Sequence, residues 1–479
     1  MKTKVNELTK AARIAAKAVV RFQVHGFSES HIPSILDPRI ASPEEWSGSG
    51  FFIRLNNETG YVLTNCHVAR NATHIQIQSI LTSDELFRLE IIGLVEGMEP
   101  DVALLKFSSG EKERFLKLSS EKKIPYLKFG DSKKISRSEE IRAIGYPLGM
   151  NEPNISGGQI SNFISGSDEA TERLVTDASI NPGNSGGPAI VYGGKVIGIN
   201  TAIIVGANNI GFITPIHLIK KVLENLETHH RTGICQLAAT VQKNSATNAS
   251  LLKMKNVEGL IVRKVYRNGF AASIGLRTRD VILSVNGYKI DRHGNVRGEK
   301  ISRKRNIYDI LYEIPLGQFV RLIISRKGVR NELLAKAINW TGEGFPSQPI
   351  LRERRFICLG GLVIQEVCSE IAEALTAIMV GEELLYQELI NRKSNIIVTH
   401  ICDDSPAVDL DLMLGDFIIK AQGHSVKNLS NLKAVIEKAI VNKPSSFLIE
   451  FSSGAIANFS NEILSAKSAK IYKFGESAS

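Results

Sequence analysis

The sequence predicts a mostly β protein in which two smaller α+β modules follow one large all-β domain. With 479 residues the chain is too long for a single hydrophobic core, and its length suggests about three domains. Between residues 18 and 216, short apolar runs alternate with polar or glycine-bearing turns, a pattern typical of β-barrels or sandwiches. After residue 234 one order of strands, helix and turns occurs twice.

The composition is that of an ordinary globular protein, with 43% hydrophobic and 23% charged residues. The net charge of +10 is spread along the chain. Such basic runs are usually solvated faces, so we expect no nucleic-acid partner. The five cysteines show no CxxC spacing, which argues against a disulfide scaffold and a zinc site and favours a reducing compartment such as the cytoplasm. We therefore expect no metal and no other cofactor.

Residues 1–17 form a basic, weakly amphipathic segment that we expect to be a leading helix. Charges interrupt each apolar run before it reaches the length of a secretory signal core. No segment approaches the roughly 20 apolar residues of a membrane span, so no transmembrane segment is expected. Targeting to an organelle and non-classical export stay open, and the compartment is unknown.

The first domain is predicted over residues 18–228. We predict strands at residues 19–24, 50–55, 61–64, 102–107, 141–144 and 195–200. Residues 27–47 and 150–173 do not fit as strands and are predicted to be long functional loops. Apolar residues at helical spacing over 216–226 indicate a closing helix, and the polar residues 227–233 indicate a linker.

Two modules of similar order follow, over residues 234–340 and 350–479. In the first, a strand precedes a short helix that ends at Gly275, then a second strand and an Asn286-Gly287 hairpin turn. In the second, a strand precedes a helix beginning near Ser405, then a strand, a turn at Gly423 and a helix. The modules are predicted to be diverged copies of one unit.

One glycine-rich stretch, TDASINPGNSGGP at residues 176–188, contains a serine in a setting suited to catalysis. We assign Gly183, Asn184 and Ser185 to an oxyanion hole, because backbone N–H groups beside the Ser185 hydroxyl would stabilise a developing oxyanion. Taken alone, the pattern is also compatible with an ordinary glycine loop.

A serine hydroxyl becomes nucleophilic when a histidine takes its proton, and that histidine needs a carboxylate to orient it. His67 follows one predicted strand and Asp101 precedes another. Either residue alone would more often be structural. The order His, Asp, Ser, with intervals of 34 and 84 residues, allows the first two on one barrel and the serine on the next. We predict that His67, Asp101 and Ser185 are catalytic.

These stretches resemble the HtrA/Deg family of ATP-independent serine proteases. The resemblance rests on TNCHVA, PDVALLKF and TDASINPGNSGGP, and NISGGQIS and NIGFITP match as well. It covers nearly the whole chain and is greatest to the plant-type Deg proteases. It implies a chymotrypsin-like double β-barrel over residues 18–228, a PDZ domain over 234–340 and a degenerate PDZ-like domain over 350–479.

The resemblance also implies a substrate pocket near the serine. Ser179, six residues before the nucleophile, would lie at its base; its other predicted members are Ile180, Asn200, Thr201, Ala202 and Ile203. No carboxylate lies among them, so cleavage after small or medium aliphatic residues is expected. Asn184 replaces the aspartate of zymogen-activated relatives, which argues against activation by cleavage.

In the first module, the expected peptide-binding loop contains Gln236, Leu237, Ala238 and Ala239. Such loops hold a peptide carboxylate on backbone amides after strand addition. Ala238 stands where glycine is usual, and alanine resists a positive φ, so we expect an altered loop. The third unit lacks a comparable loop and is interpreted as an assembly or spacing module.

The expected function is ATP-independent endoproteolysis of unfolded or regulatory proteins by a homo-oligomer, a trimer or a multiple of trimers as the resemblance implies. The alternative is a peptide-binding or chaperone scaffold with an idle protease site. A further hypothesis is a switch in which residues 150–173, 176–184 and 201–209 become ordered on binding.

Overall fold

The computed structural model describes residues 2–27, 35–95, 99–167, 171–203, 210–229, 231–297, 305–340, 354–368, 371–372, 374–375, 394–403, 405–410, 412–464 and 468–473. The chain divides into two compact units. The first consists of Met1–His25 and Glu45–Glu343, and the second of Gly26–Glu44 and Gly344–Ser479. The second unit therefore includes a segment from near the N-terminus.

The first unit begins with helix α1 (Lys2–Ala16) and a six-stranded barrel that closes through pairing of its last two strands. Its strands are β1 (Val19–Gly26), β2 (Glu44–Leu55), β3 (Glu58–Thr64), β4 (Ala72–Gln78), β5 (Leu86–Val95) and β6 (Ala103–Phe107). Alternating burial along β1 follows the period of two that a barrel wall requires. Two helices belong to this region, α2 (Cys66–Ala69) and α3 (Glu111–Leu118).

A second closed barrel follows, and its strands are β7 (Glu140–Gly145), β8 (Asn154–Ile164), β9 (Arg173–Thr176), β10 (Pro188–Val191), β11 (Lys195–Ile203) and β12 (Gly211–Pro215). Helix α4 (Ile216–His229) closes the double barrel. One hydrophobic cluster includes Ala12 of α1, Phe51 of the first barrel, Ile199 of the second and Ile219 of α4. The leading helix and the closing helix thus share one core with both barrels, and the predicted fold class is confirmed.

Three segment predictions in this region are wrong in part. The predicted loop 27–47 includes the first residues of β2, which begins at Glu44. Residues 150–173 contain β8, which the sequence conceals because its glycines interrupt the apolar alternation. Gly158 is required there, since a Cβ at this position would lie 2.4 Å from the Ala178 nitrogen. The predicted linker 227–233 is instead helical to His229, and β13 (Arg231–Thr232) then pairs in parallel with β5.

The first module belongs to the first unit. It consists of β14 (Ala239–Lys243), α5 (Ala246–Leu251), β15 (Leu260–Val265), α6 (Phe270–Ser273), β16 (Val281–Val285), β17 (Tyr288–Ile290), β18 (Val296–Arg297), α7 (Ile307–Tyr312), β19 (Phe319–Arg326) and β20 (Val329–Lys336). Within the described chain, β14 lies at the edge of the sheet and pairs with β15 alone. A free strand edge of this kind can accept an added strand.

The second unit contains two four-stranded sheets. Its elements are β21 (Arg355–Leu359), β22 (Leu362–Glu366), β23 (Ile396–Ile401), β24 (Ile418–Ala421), β25 (His424–Ser425), α8 (Leu429–Asn442), β26 (Ser446–Phe451), β27 (Ile456–Ser460) and β28 (Tyr472–Lys473). The helix predicted near Ser405 is wrong: the described residues 405–410 form turns. The Ser405 hydroxyl donates to the Cys402 carbonyl over 2.7 Å instead of capping a helix N-terminus.

The segment from near the N-terminus is built into this second unit. Ile35 and Leu36 are buried in a cluster with Val367 and Phe417. The Gln365 side-chain amide donates to the carbonyls of Ile35 and Leu36 over 3.0 and 3.1 Å. Both the apolar contacts and the amide bonds therefore fix this segment on β22.

No helix of the described residues has the length and apolarity needed to cross a bilayer.

Candidate active site

His67 and Asp101 meet at one end of the first barrel. His67 lies on α2, directly after β3, and Asp101 lies just before β6. The His67 Nδ1 atom is 2.6 Å from Asp101 Oδ2, and the His67 backbone N–H donates to Asp101 Oδ1 over 3.1 Å. One carboxylate therefore holds both the ring and the backbone of the histidine, as a base oriented for catalysis requires.

Asp101 is itself fixed from behind. It is only 5% exposed, and its backbone carbonyl accepts a hydrogen bond from the Asn65 side-chain amide over 2.8 Å. Asn65 also lies within 3.3 Å of the Thr201 hydroxyl, which belongs to the second barrel. Asn65 is not predicted from the sequence, although it stands two residues before His67.

Ser185 lies between β9 and β10 of the second barrel, in a loop that demands glycine on both sides. Gly183 has φ +96° and Gly186 has φ +90°, conformations that side-chain-bearing residues rarely adopt. A Cβ at Gly183 would lie 2.5 Å from the Tyr146 carbonyl oxygen, and one at Gly186 would lie 2.0 Å from the Ser49 oxygen. These close approaches explain the glycines that frame the serine.

Ser49, from β2 of the first barrel, fastens this loop. Its hydroxyl donates to the Gly183 carbonyl over 2.6 Å and accepts from the Tyr146 N–H over 2.8 Å, while its own N–H donates to the Ser185 carbonyl over 2.8 Å. The Thr64 hydroxyl in turn donates to the Ser49 carbonyl. Ser49 is fully buried. This role is not predicted from the sequence, because nothing in a strand-borne serine signals a contact 134 residues away.

The backbone amides of this loop divide into bonded and unbonded groups. The Asn184 N–H donates to the Asn181 carbonyl over 2.9 Å, so its assignment to the oxyanion hole is wrong. Among the hydrogen bonds of the described residues, neither the Gly183 nor the Ser185 N–H has an acceptor. The carbonyls of the same two peptide groups, those of Pro182 and Asn184, accept the Leu148 and Gly187 N–H groups over 2.9 and 3.0 Å. The two amides are therefore fixed in direction and available to a ligand oxygen, and the proposed ordering switch loses support for residues 176–184.

The switch hypothesis also includes residues 150–173 and 201–209. Of these, residues 168–170 and 204–209 lie outside the described residues.

The Ser185 hydroxyl donates to the Thr201 carbonyl over 3.0 Å. A hydroxyl has one proton to donate, so this bond competes with donation to a histidine. The Ser185 hydroxyl proton must therefore leave the Thr201 carbonyl before it can pass to a histidine.

The predicted pocket residues do not all face one space. Ser179 is exposed, whereas Ile180 is buried in the core of the second barrel. Asn200 and Thr201 are buried: the Asn200 amide donates to the Ile144 carbonyl, and the Thr201 hydroxyl lies 2.7 Å from that of Thr214. Their side chains thus point into the barrel, whereas the Thr201 carbonyl faces the Ser185 hydroxyl; their assignment to the pocket stays a prediction that concerns their backbone.

The side chains of the two remaining pocket residues, Ala202 and Ile203, lie outside the described residues.

The peptide loop of the first module also differs from expectation. Ala238 adopts φ +55°, so the glycine-like backbone is present despite the methyl group. Leu237 and Ala239 are buried in the module core, and Gln236 is half-buried. Burial raises the pKa of the neighbouring Cys235 thiol to about 12, which keeps it neutral. The prediction that alanine would alter this backbone is therefore wrong.

Comparisons with known proteins agree with this geometry. Residues 48–199 match the model of the trypsin-like peptidase domain. The chain is 27% identical over 426 residues to a probable periplasmic serine endoprotease DegP-like of Chlamydia trachomatis, covering 86% of this chain and 73% of the relative. It is 27% identical over 418 residues to the periplasmic serine endoprotease DegP of Escherichia coli, covering 85% and 74%.

A plant relative and solved structures complete the comparison. The putative protease Do-like 13 of Arabidopsis thaliana is 30% identical over 328 residues, covering 67% of this chain and 63% of the relative. The structure of the HtrA-type protease AlgW with a decapeptide has a TM-score of 0.51 and 26% identity, covering 69% of this chain and 97% of that one. The same protease with a tripeptide gives a TM-score of 0.52 and 26% identity, with 70% and 99% covered.

Proposed function

We propose that this chain, which belongs to the HtrA/Deg family of serine endopeptidases, uses His67, Asp101 and Ser185 to hydrolyse peptide bonds of unfolded or regulatory proteins. The observation that carries the assignment is the 2.6 Å contact between His67 Nδ1 and Asp101 Oδ2 beside the glycine-framed serine. That contact sets the tautomer in which Nε2 can accept a proton.

In this mechanism the Ser185 hydroxyl leaves the Thr201 carbonyl, passes its proton to His67 Nε2 and attacks the scissile carbonyl carbon. Asp101 stabilises the resulting imidazolium. The proton then moves to the leaving amine, and water hydrolyses the acyl-enzyme by the same route in reverse. The Gly183 and Ser185 N–H groups, free of acceptors among the described residues, bind the oxyanion.

For specificity, we propose small or medium aliphatic residues on the acyl side of the cleaved bond. The exposed Ser179 supports this assignment, since it offers a neutral surface near the loop. A substrate or regulatory peptide would add to the free edge of β14, next to the left-handed Ala238. The peptide-bound state of the AlgW structures is consistent with such a ligand.

For organisation, we propose a protease domain over residues 18–228, a PDZ domain over 234–340 and a degenerate PDZ-like domain over 350–479. The sheet of β14 to β20 supports the second assignment. The family resemblance supports a homo-oligomer, either a trimer or a multiple of trimers. Mass photometry of the purified chain tests this, and a monomer at working concentration would contradict it.

The activity is tested by labelling the full chain with a fluorophosphonate probe and by following the degradation of unfolded casein. Wild type should label at Ser185 and degrade casein, and Ser185→Ala should do neither while retaining its thermal unfolding temperature. Labelling elsewhere, or equal degradation by the variant, would contradict the assignment of the nucleophile.

A scaffold with an idle protease site is the second candidate, and one observation favours it. In the structure the Ser185 hydroxyl is engaged by the Thr201 carbonyl. If that state persists in solution, Ser185 will resist the probe with or without added peptide, while the chain still suppresses aggregation of an unfolded protein.

A further inference from the structure

A basic cavity lies on the first module, away from its peptide loop. Its volume is about 260 Å³. It is formed by the end of α5, the turn before β16 and the β19–β20 hairpin, whereas the peptide loop precedes β14. The charged side chains that line it are Lys253, Arg277, Arg279, Asp280, Arg326 and Lys327.

The one carboxylate of this cavity is already neutralised. Asp280 is 1% exposed and receives two bonds from the Arg326 guanidinium, at 2.8 and 2.7 Å. It also accepts the Arg277 backbone N–H over 2.8 Å. Four cationic side chains remain around the cavity without a carboxylate partner among the described residues: Lys253, Arg277, Arg279 and Lys327.

Three of these four residues hold a backbone conformation that favours glycine. Lys253 has φ +58°, Arg279 has φ +73° and Lys327 has φ +54°. Glycine or asparagine would adopt this conformation more easily, so retaining a long cationic side chain there costs stability. Lys122 and Lys443 share the conformation elsewhere. What distinguishes the cavity is that three such residues, all exposed to solvent, line one space, and strain of this kind concentrates at functional sites.

We infer that this cavity is a binding site for a ligand that carries two phosphate groups. Each phosphate group bears about 1.5 to 2 negative charges near neutral pH, so a diphosphate matches the four unpaired cations. Arginine guanidinium groups suit phosphate oxygens because they donate paired hydrogen bonds in a planar fork. A single carboxylate would leave most of the cations unmatched. The residues that line this cavity include none of the residues assigned to the protease site and none of β14.

Isothermal titration of the full-length Ser185→Ala protein with sodium pyrophosphate tests the site at fixed ionic strength. Saturable binding to one site is expected. Arg279→Gly and Lys327→Gly should each weaken it by about tenfold or more, because each removes a charged hydrogen bond. Since glycine relieves the left-handed backbone, neither variant should unfold at a lower temperature. Arg279→Asn, a neutral residue that also tolerates this conformation, should give the same loss.

Lys443→Gly is the matched control, since it removes a left-handed lysine far from this cavity in sequence and outside its lining. Its pyrophosphate affinity should stay within about twofold of the parent. Absence of saturable binding, or an equal loss in the control, would overturn the proposal.

Two further ligands identify the source of the phosphate. Sedimentation with phosphatidylcholine vesicles containing a phosphoinositide bisphosphate reports a lipid headgroup, whereas pyrophosphate binding without vesicle binding reports a free phosphate compound. Either result supports the site if Arg279→Gly abolishes it. Binding of hexaglutamate with no binding of pyrophosphate or vesicles would instead assign the cavity to acidic peptides and overturn the phosphate proposal.

Discussion

The two halves of the candidate active site are held in different ways. In the first barrel, the Asp101 carboxylate makes two hydrogen bonds to His67, one with the backbone N–H and one with the ring Nδ1. In the second barrel, the loop of Ser185 is fixed by neutral bonds from Ser49, and the hydroxyl itself is turned to the Thr201 carbonyl. The charged half is thus already in its working arrangement, whereas the hydroxyl of the nucleophile donates to a backbone carbonyl.

This difference shows which part of such a protease can be held inactive with little change in free energy: the serine hydroxyl. Charge-assisted bonds are strong and expensive to break. Rotation of a serine hydroxyl between two acceptors changes little else in the structure, so a substrate that occupies the site can drive it. Regulation of the nucleophile therefore requires no rearrangement of His67 and Asp101.

The largest expected effect comes from breaking the charged half. Asp101→Asn should lower kcat by about 10⁴-fold, because an amide favours the wrong histidine tautomer. KM for a fluorogenic peptide should change little, since Asp101 is buried behind His67. Steady-state kinetics measure both constants. A kcat within tenfold of wild type would show that Asp101 does not orient the base.

Breaking the support of the serine half should have a smaller effect. Ser49→Ala leaves the Gly183 carbonyl without its donor, so the Gly183–Asn184 peptide can turn and the oxyanion donors on either side of it, Gly183 N–H and Ser185 N–H, lose their fixed direction. We expect kcat to fall by about 10²-fold, the usual consequence of losing one such donor. Stability should fall by about 1–3 kcal/mol, because the buried Tyr146 N–H loses its acceptor.

Ser132→Ala is the matched control for Ser49→Ala. Ser132 is equally buried, and its hydroxyl lies 2.8 Å from His217 Nδ1, on a different part of the second barrel. It should lose comparable stability in urea unfolding and keep the wild-type kcat. Equal losses of kcat in both variants would mean that Ser49 acts through stability alone.

Removing the side-chain hydroxyl of Thr201, whose carbonyl accepts the Ser185 hydroxyl, should have a smaller effect on kcat than Ser49→Ala. Thr201→Val removes the bonds to Thr214 and Asn65 but keeps the carbonyl that accepts the Ser185 hydroxyl. Urea unfolding should show a loss of about 1 kcal/mol, with kcat changed by less than about threefold. In contrast, Thr73→Val, which removes an exposed hydroxyl bond, should leave both values near wild type. A large fall in kcat for Thr201→Val would show that the carbonyl depends on its side chain.

The smallest expected effect is a pH dependence of stability at Asp309, where the first module contacts the loop after β8 of the serine-bearing barrel. Burial raises the pKa of Asp309 in α7, although its carboxylate accepts the Gly166 and Asn306 N–H groups. A raised folded-state pKa gives stability that is present below the ordinary value of 3.8 and is lost as pH rises through the folded value. Urea unfolding from pH 4 upward should therefore show a fall for wild type that Asp309→Asn lacks. Parallel pH profiles would contradict this.

Much of the fold could be predicted because barrel strands carry an apolar alternation that local sequence reveals. Helix α4 shows the same for helical spacing. Strand β8 could not be predicted, because its glycines serve a close approach to Ala178 and leave no alternation. The turn at Ser405 was mistaken for a helix, since a serine can donate to a carbonyl as readily as it can cap.

The candidate site shows a similar division. His67, Asp101 and Ser185 stand in short motifs whose residue types state their chemistry. Ser49 and Asn65 act through the distant residues they contact, which only the fold brings together. The inward orientation of Thr201 follows from a local irregularity between β11 and β12, which the sequence does not encode in any short pattern.

The second unit is built from two segments that are far apart in the sequence, and this limits the order in which the chain can fold. Ile35 and Leu36 are synthesised about 300 residues before the C-terminal part with which they pack. Strands β1 and β2 can pair early. Ile35 and Leu36, however, become buried only after β22 and its neighbours have been synthesised and folded. A chain truncated after residue 343 would therefore change a loop of the first barrel as well as lose a module.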